Sequence, residues 1–315
     1  MCSSTLLIGW RDPASRHSAV SRTTSVTTSR TGTVRERVGP RRDAAALRTD
    51  WFPLRLRRRQ HPNQTDRRLP FPLVPQQQPE QQAPPVQRLR VRYAKRGRLR
   101  FTSHRDFSRA FERAVFRARI PMAYSSGFNP HPRISYAGAA PTGSASEAEY
   151  LELALAEVVV PADVHAQLDE ALPPGLDVLE VVESPGGSLS DLLEGSRWRI
   201  DLAADRDATT AAVERFLAAD ETLVERMTKK GMREFDARGA VVSLVVLPED
   251  PAAGGRTSLD VVLRHGTPAV RPDDVLRGLE SVAGLPAGEA PLMTRAAQGP
   301  LSDSGEVGDP LAARA

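Results

Sequence analysis

An α+β fold is predicted by three observations along the chain. In "QRLRVRYAK", Leu89, Val91 and Tyr93 alternate with Arg90 and Arg92, the two-residue period of a half-buried strand. In "SHRDFSRAFERAVFRAR", the residues Phe107, Ala110, Phe111, Ala114, Val115 and Ala118 share one face of an amphipathic helix. The order strand, helix, strand, strand, helix, strand then occurs twice. That order is the split βαβ, or ferredoxin-like, arrangement. The expected architecture is therefore two tandem ferredoxin-like (β-α-β-β-α-β) halves behind a disordered N-terminal segment.

Residues 1–87 are Ser/Thr/Arg-rich, then Arg-rich, then Pro/Gln-rich, without sustained period. Such a segment buries too little apolar surface to offset its ordering entropy, so it is expected to be disordered. Its composition also suits an RNA-binding arm, a transit peptide or an over-extended gene start. The first half spans 88–185. After its opening strand, "AKRGR" is a turn in which Gly97 can take positive φ. Ser103 is the expected N-cap of the basic helix, and Asp106 suits the dipole of its first turn. "YSSGFNPHPRISYAG" follows, then the strand "EAEYLELALAE". Pro161 starts a second helix with Val164, Leu168 and Leu172 on one side, and "PPGLDVLEVVE" closes the half with a strand. A linker at 186–195 leads to the second half, 196–298. There "RWRIDLA", one or two strands within "LVERMTKKGMREFDARGAVVSLVVL", "RTSLDVVLRHG" and "APLMTRAA" are the expected strands. "DATTAAVERFLAA" and "RPDDVLRGLESVAG" are the expected helices. The tail, 299–315, is expected to be loose.

Composition narrows the function classes. No apolar run approaches the roughly 18–20 residues of a membrane span, so no membrane partner is expected. The single cysteine, Cys2, excludes an internal disulfide framework, a cysteine-based zinc site and a cysteine-ligated iron–sulfur cluster within this chain. It fits a reducing cytoplasm. Net charge is +4, but its distribution is uneven. Residues 1–88 carry 16 Arg against 6 acids, residues 89–119 carry 11 basic residues against 2 acids, and the remainder carries 16 against 31. Positive charge at the front points to an anionic partner, nucleic acid being the commonest.

The groups that could carry chemistry cluster in the first half. Arg105, Arg109, Arg113 and Arg117 recur every four residues with Glu112 almost their only partner, so the row repels itself and invites an anion. Arg98 and Arg100 lie just before it. The loop "YSSGFNPHPR" holds Tyr124, Ser125, Gly127, Asn129, His131 and Arg133. Two prolines stiffen the chain around His131, and backbone amides near Gly127 could serve phosphate. In the second half, Lys229, Lys230 and Arg233 form a basic turn, either a phosphate contact or a solvated hairpin. His104 and His131 with Tyr124 would suffice for metal-free acid–base cleavage of RNA if the fold brings them together. With Glu147, Glu149 or Glu152 they could also ligate a metal, but no metal-ligand spacing is present and no cofactor is expected.

"RVRYAKRGRLRFTSHRDFSRAFERA", "PMAYSSGFNPHPRISYAGAAPTGSASEAEYLEL" and "KKGMREFDAR" resemble the radical SAM-associated protein family, over about residues 88–300. The resemblance implies a bacterial cytoplasmic protein working with a radical SAM protein in trans. It also implies RNA as substrate class (tRNA, rRNA or ribonuclease-associated RNA), since such genes lie near ribonuclease or ribosomal-protein genes. The chain departs from fused members of that family in lacking CxxxCxxC, so it cannot hold the cluster itself. The expected function is an accessory RNA-binding or substrate-presenting protein. The alternatives are a metal-independent RNA-processing enzyme using His104 and His131, or a protein–protein adaptor.

Overall fold

The computed structural model describes residues 81–228, 231–286 and 290–312. The segment expected to be disordered lies outside the described residues as far as residue 80. β1 (Gln87–Lys95) leads through a 3-10 turn (Gly97–Phe101) into α1 (His104–Arg117). Then come β2 (Ile134–Ala137), β3 (Ala145–Leu155), α2 (Pro161–Ala171) and β4 (Val178–Glu183). The second series is β5 (Gly195–Leu202), α3 (Arg206–Ala218), β6 (Leu223–Thr228), β7 (Gly231–Asp236), β8 (Val241–Val246), β9 (Thr257–Arg264), α4 (Pro272–Ala283) and β10 (Leu292–Gly299). The architecture is mixed α+β.

Eight strands form one sheet in the order β4-β1-β3-β10-β5-β9-β8, with β2 added on β3. One edge of β3 is shared end to end. β2 pairs antiparallel with Tyr150–Leu153, and β10 pairs parallel with Ala145 and Ser146. Where one or two strands are expected between residues 223 and 247, there are three. β6 and β7 make a separate hairpin, tied to α4 by the ion pair of Arg226 with the buried Asp274.

α1 forms where its apolar period requires. Phe107, Phe111, Ala114 and Val115 are buried against Leu89, Val91 and Tyr93 of β1, in a core shared with Val164 and Leu168 of α2. Tyr93 stacks on Phe107 with centroids 4.5 Å apart. The Asp106 N–H donates to Ser103 Oγ at 3.2 Å, so Ser103 caps the helix. Ser103→Ala should therefore cost about 1 kcal/mol. An unchanged urea midpoint would show that the cap contributes nothing.

β1 is not the half-solvated strand its alternation suggests. Arg90 is 2% exposed. Its guanidinium donates to the carbonyls of Gly186 and Gly187 at 2.7 and 3.2 Å, and it pairs with Glu152. Glu152 also accepts from Arg88 at 2.8 Å and from the Ser184 hydroxyl at 2.9 Å. The cause is the connection after β4, which folds over this face and buries Leu189 and Leu193 with Ala137, Ala148 and Tyr150. Leu311 joins the same cluster, and Leu301 bridges Val307. The tail is thus held as far as residue 312 rather than loose, because it has an apolar anchor of its own.

The seam between β3 and β10 carries a buried ion pair. Arg295 on β10 donates to Glu149 on β3, to Ser146 Oγ at 3.2 Å and to the Gly138 carbonyl at 2.6 Å. Glu149 also accepts from the Ala140 N–H. Lys95 is buried nearby, and burial pulls its pKa down against the opposing pull of Glu149.

His265 anchors the connection from the other side. Its Nδ1 lies 2.7 Å from the Leu193 carbonyl and its Nε2 lies 3.0 Å from Ser196 Oγ. Ser196 Oγ also accepts from the Trp198 indole at 2.8 Å. A neutral imidazole fits this chain, donating at Nδ1 and accepting from the Ser196 hydroxyl at Nε2. Burial lowers its pKa, outweighing the Leu193 carbonyl, and Arg295 lowers it further. The unfolded chain, titrating near ~6.5, therefore takes up the proton first as pH falls. Stability should be fully present above about pH 6.5 and decline below it. His265→Gln should flatten the loss of melting temperature between about pH 7 and 5. The same slope in both proteins would exclude His265 as its source.

Candidate functional site

α1 presents two unlike faces. Its buried stripe orients the opposite side to solvent, where Arg105, Arg109 and Arg113 are exposed and have no carboxylate partner among the described residues. The arginines around β1 are treated differently. Arg88 and Arg90 pair with Glu152, and Arg96 with Glu147 and Asp177, while Arg92 donates to the Glu147 carbonyl at 2.9 Å. Among the described residues, the unneutralised part of the basic stretch is thus the helix face with the turn before it. Arg117 leaves the row, since its guanidinium donates to the Ala171 carbonyl at the end of α2. Arg98 is exposed in the 3-10 turn, and the Arg100 guanidinium lies 4.6 Å from the centre of the Phe101 ring.

The loop after α1 is a closed excursion. The Arg133 N–H donates to the Ala123 carbonyl at 2.8 Å, and Tyr124 bridges Pro132. One step further out, the Ser125 N–H donates to the His131 carbonyl at 2.9 Å and the His131 N–H to Ser125 Oγ at 3.0 Å. Ser125 and Arg133 therefore hold the neck, while Phe128, Asn129 and Pro130 stand out in solvent. Gly127 has φ +139 with open space around it. It serves the backbone turn rather than a close approach.

The loop meets the C-terminal half of α1. Glu112, Val115, Phe116, Arg119, Ile120, Tyr124 and Pro132 line one shallow groove. His104 starts the helix, twelve residues before Phe116, or about 18 Å along its axis. Its ring meets Tyr136 of β2 edge-on, with centroids 5.1 Å apart. Burial pushes the Tyr136 phenol up to about 12. The structure thus brings Tyr124 and His131 to the two sides of the loop neck but places His104 at the far end of the helix. Glu147, Glu149 and Glu152 are each engaged by arginine. Among the described residues no cluster of His, Cys, Asp or Glu is placed to hold a metal ion.

Sequence reasoning named Tyr124 but missed the exposed rings of Phe116 and Phe128. Phe116 is 80% exposed, Phe128 68% and Tyr124 40%. Phe116 also walls a second groove, with Arg109, Glu112, Arg113 and Arg117. The signal was available: Phe116 lies three residues beyond Arg113 and seven beyond Arg109, which puts it on the arginine face. In the second basic patch, Arg233 is exposed on β7 directly opposite Arg226, which is committed to Asp274. Lys229 and Lys230 lie outside the described residues.

A family model of uncharacterised proteins conserved in bacteria (DUF2344) matches residues 88–272, more than half of the chain. The chain belongs to this family. The DUF2344 match contains α1, the loop and both grooves, and it ends at the first residue of α4. No curated protein matches the chain. No helix among the described residues is long and apolar enough to cross a membrane.

Proposed function

We propose that this DUF2344 protein is a bacterial cytoplasmic accessory factor that binds RNA on α1 and presents it to a radical SAM partner acting in trans. One observation carries the reading: Arg105, Arg109 and Arg113 are exposed without carboxylate partners among the described residues, while Arg88, Arg90 and Arg96 are matched. Keeping three like charges on one helix face costs stability unless an anion shares it. Arg98 and Arg233 add further cations without carboxylate partners among the described residues. The radical SAM partner rests on the resemblance of the "FTSHRD" and "GFNPHPR" stretches. The repeated strand order, β4-β1-β3-β2 and then β10-β5-β9-β8, supports reading residues 88–185 and 196–298 as tandem ferredoxin-like halves. Acid–base cleavage by His104 and His131 draws no support from their positions, one at the start of α1 and the other in the loop that meets its C-terminal half.

Ultraviolet crosslinking in cells, followed by sequencing of the attached RNA and by mass spectrometry of attached proteins, tests the reading. It expects RNA crosslinks on peptides of α1 and the 124–133 loop. Crosslinks to protein alone would replace it with an adaptor.

A further inference from the structure

We infer that the RNA bound here is single-stranded, with bases stacking on Phe116 and Tyr124 while the phosphates follow the arginines. This rests on the RNA reading and names its substrate class. Phe116 is a phenyl ring standing in solvent on a charged helix face, where it packs against no core. It walls both grooves, and Tyr124 lines the second with it. Phe128 places a further exposed ring on the loop beyond Tyr124. Rings set among cations are what an unpaired strand needs, because each base offers a free π-face and each phosphate a charge. A duplex keeps its base faces stacked internally, so these rings would gain nothing from it.

Two details favour bases in the grooves over phosphates alone. Glu112 lines both of them. A carboxylate repels a phosphate but accepts hydrogen bonds from the exocyclic amino groups on base edges. Arg119 lines the second groove and has φ +53, a left-handed conformation at a helix end where glycine is the relaxed choice. A cation thus shares the second groove with Phe116 and Tyr124, at a position where glycine would be relaxed.

The test uses the full chain and two labelled RNAs of about twelve nucleotides per strand, one single-stranded and one duplex. The single strand should bind roughly tenfold more tightly or better. Phe116→Ala with Tyr124→Ala should lower single-strand affinity roughly tenfold or more, leave the duplex unchanged and leave the melting curve unmoved. Arg119→Gly should weaken binding while melting no lower than the parent, which separates the groove from the fold. Equal affinity for the two RNAs, or a double variant that binds like the parent, overturns the single-strand inference and leaves RNA binding intact. Binding of neither RNA overturns the RNA reading beneath it and gives the rings to a protein partner.

Discussion

Glu149→Ala is expected to destabilise the protein by about 3–5 kcal/mol, a large share of a typical domain's stability. The substitution would leave the Arg295 guanidinium buried with no counter-charge, and Lys95 beside it would lose the carboxylate that holds its pKa up. Removing a charge with its partner is far cheaper than orphaning it. Glu149→Leu with Arg295→Met should therefore recover much of the loss, and a double-mutant cycle in urea measures the difference. Additive effects of the two single changes would show that the pair acts as independent packing.

Arg109→Glu with Arg113→Glu is expected to weaken RNA binding by about a hundredfold at low salt. The three arginines of the α1 face alone imply a slope of log affinity on log salt of about −2 for a single strand, and the variant should show a clearly shallower slope than the parent. Both side chains are exposed, and reversing them relieves like-charge repulsion along the helix, so the variant should melt no lower than the parent. Parental affinity with parental salt dependence would sink the reading of α1 as the RNA face.

Much of the first half was legible from local pattern. The stripe Phe107, Phe111, Ala114 and Val115 and the Ser103 cap needed only the 3.6-residue period and one side-chain hydrogen bond. Alternation also placed Arg90 opposite Leu89 correctly. It could not say that residues 184–193 would return to cover that face, because what covers a strand depends on chain far away. The same holds for Glu149 and Arg295, which lie 146 residues apart. Arg117 looked equivalent to Arg109 along the helix, yet the end of α2 reaches only Arg117. Sequence left open whether His104 meets the loop, since the first helix and the following strand of a ferredoxin-like unit lie side by side. An antiparallel return along α1 instead brings Tyr136, not the loop neck, beside His104. Phe116 was the avoidable miss, since its spacing from the arginines already placed it outside the apolar stripe.

The parallel pairing of β10 with the start of β3 has a consequence during synthesis. At about 5–20 residues per second, the ribosome takes on the order of 10 seconds to travel from Glu149 to Arg295. For that interval the opening of β3 presents an unpaired edge, and Glu149 waits for its cation. α1 and the loop are made long before the seam can close, so the whole basic face precedes the last strand in synthesis.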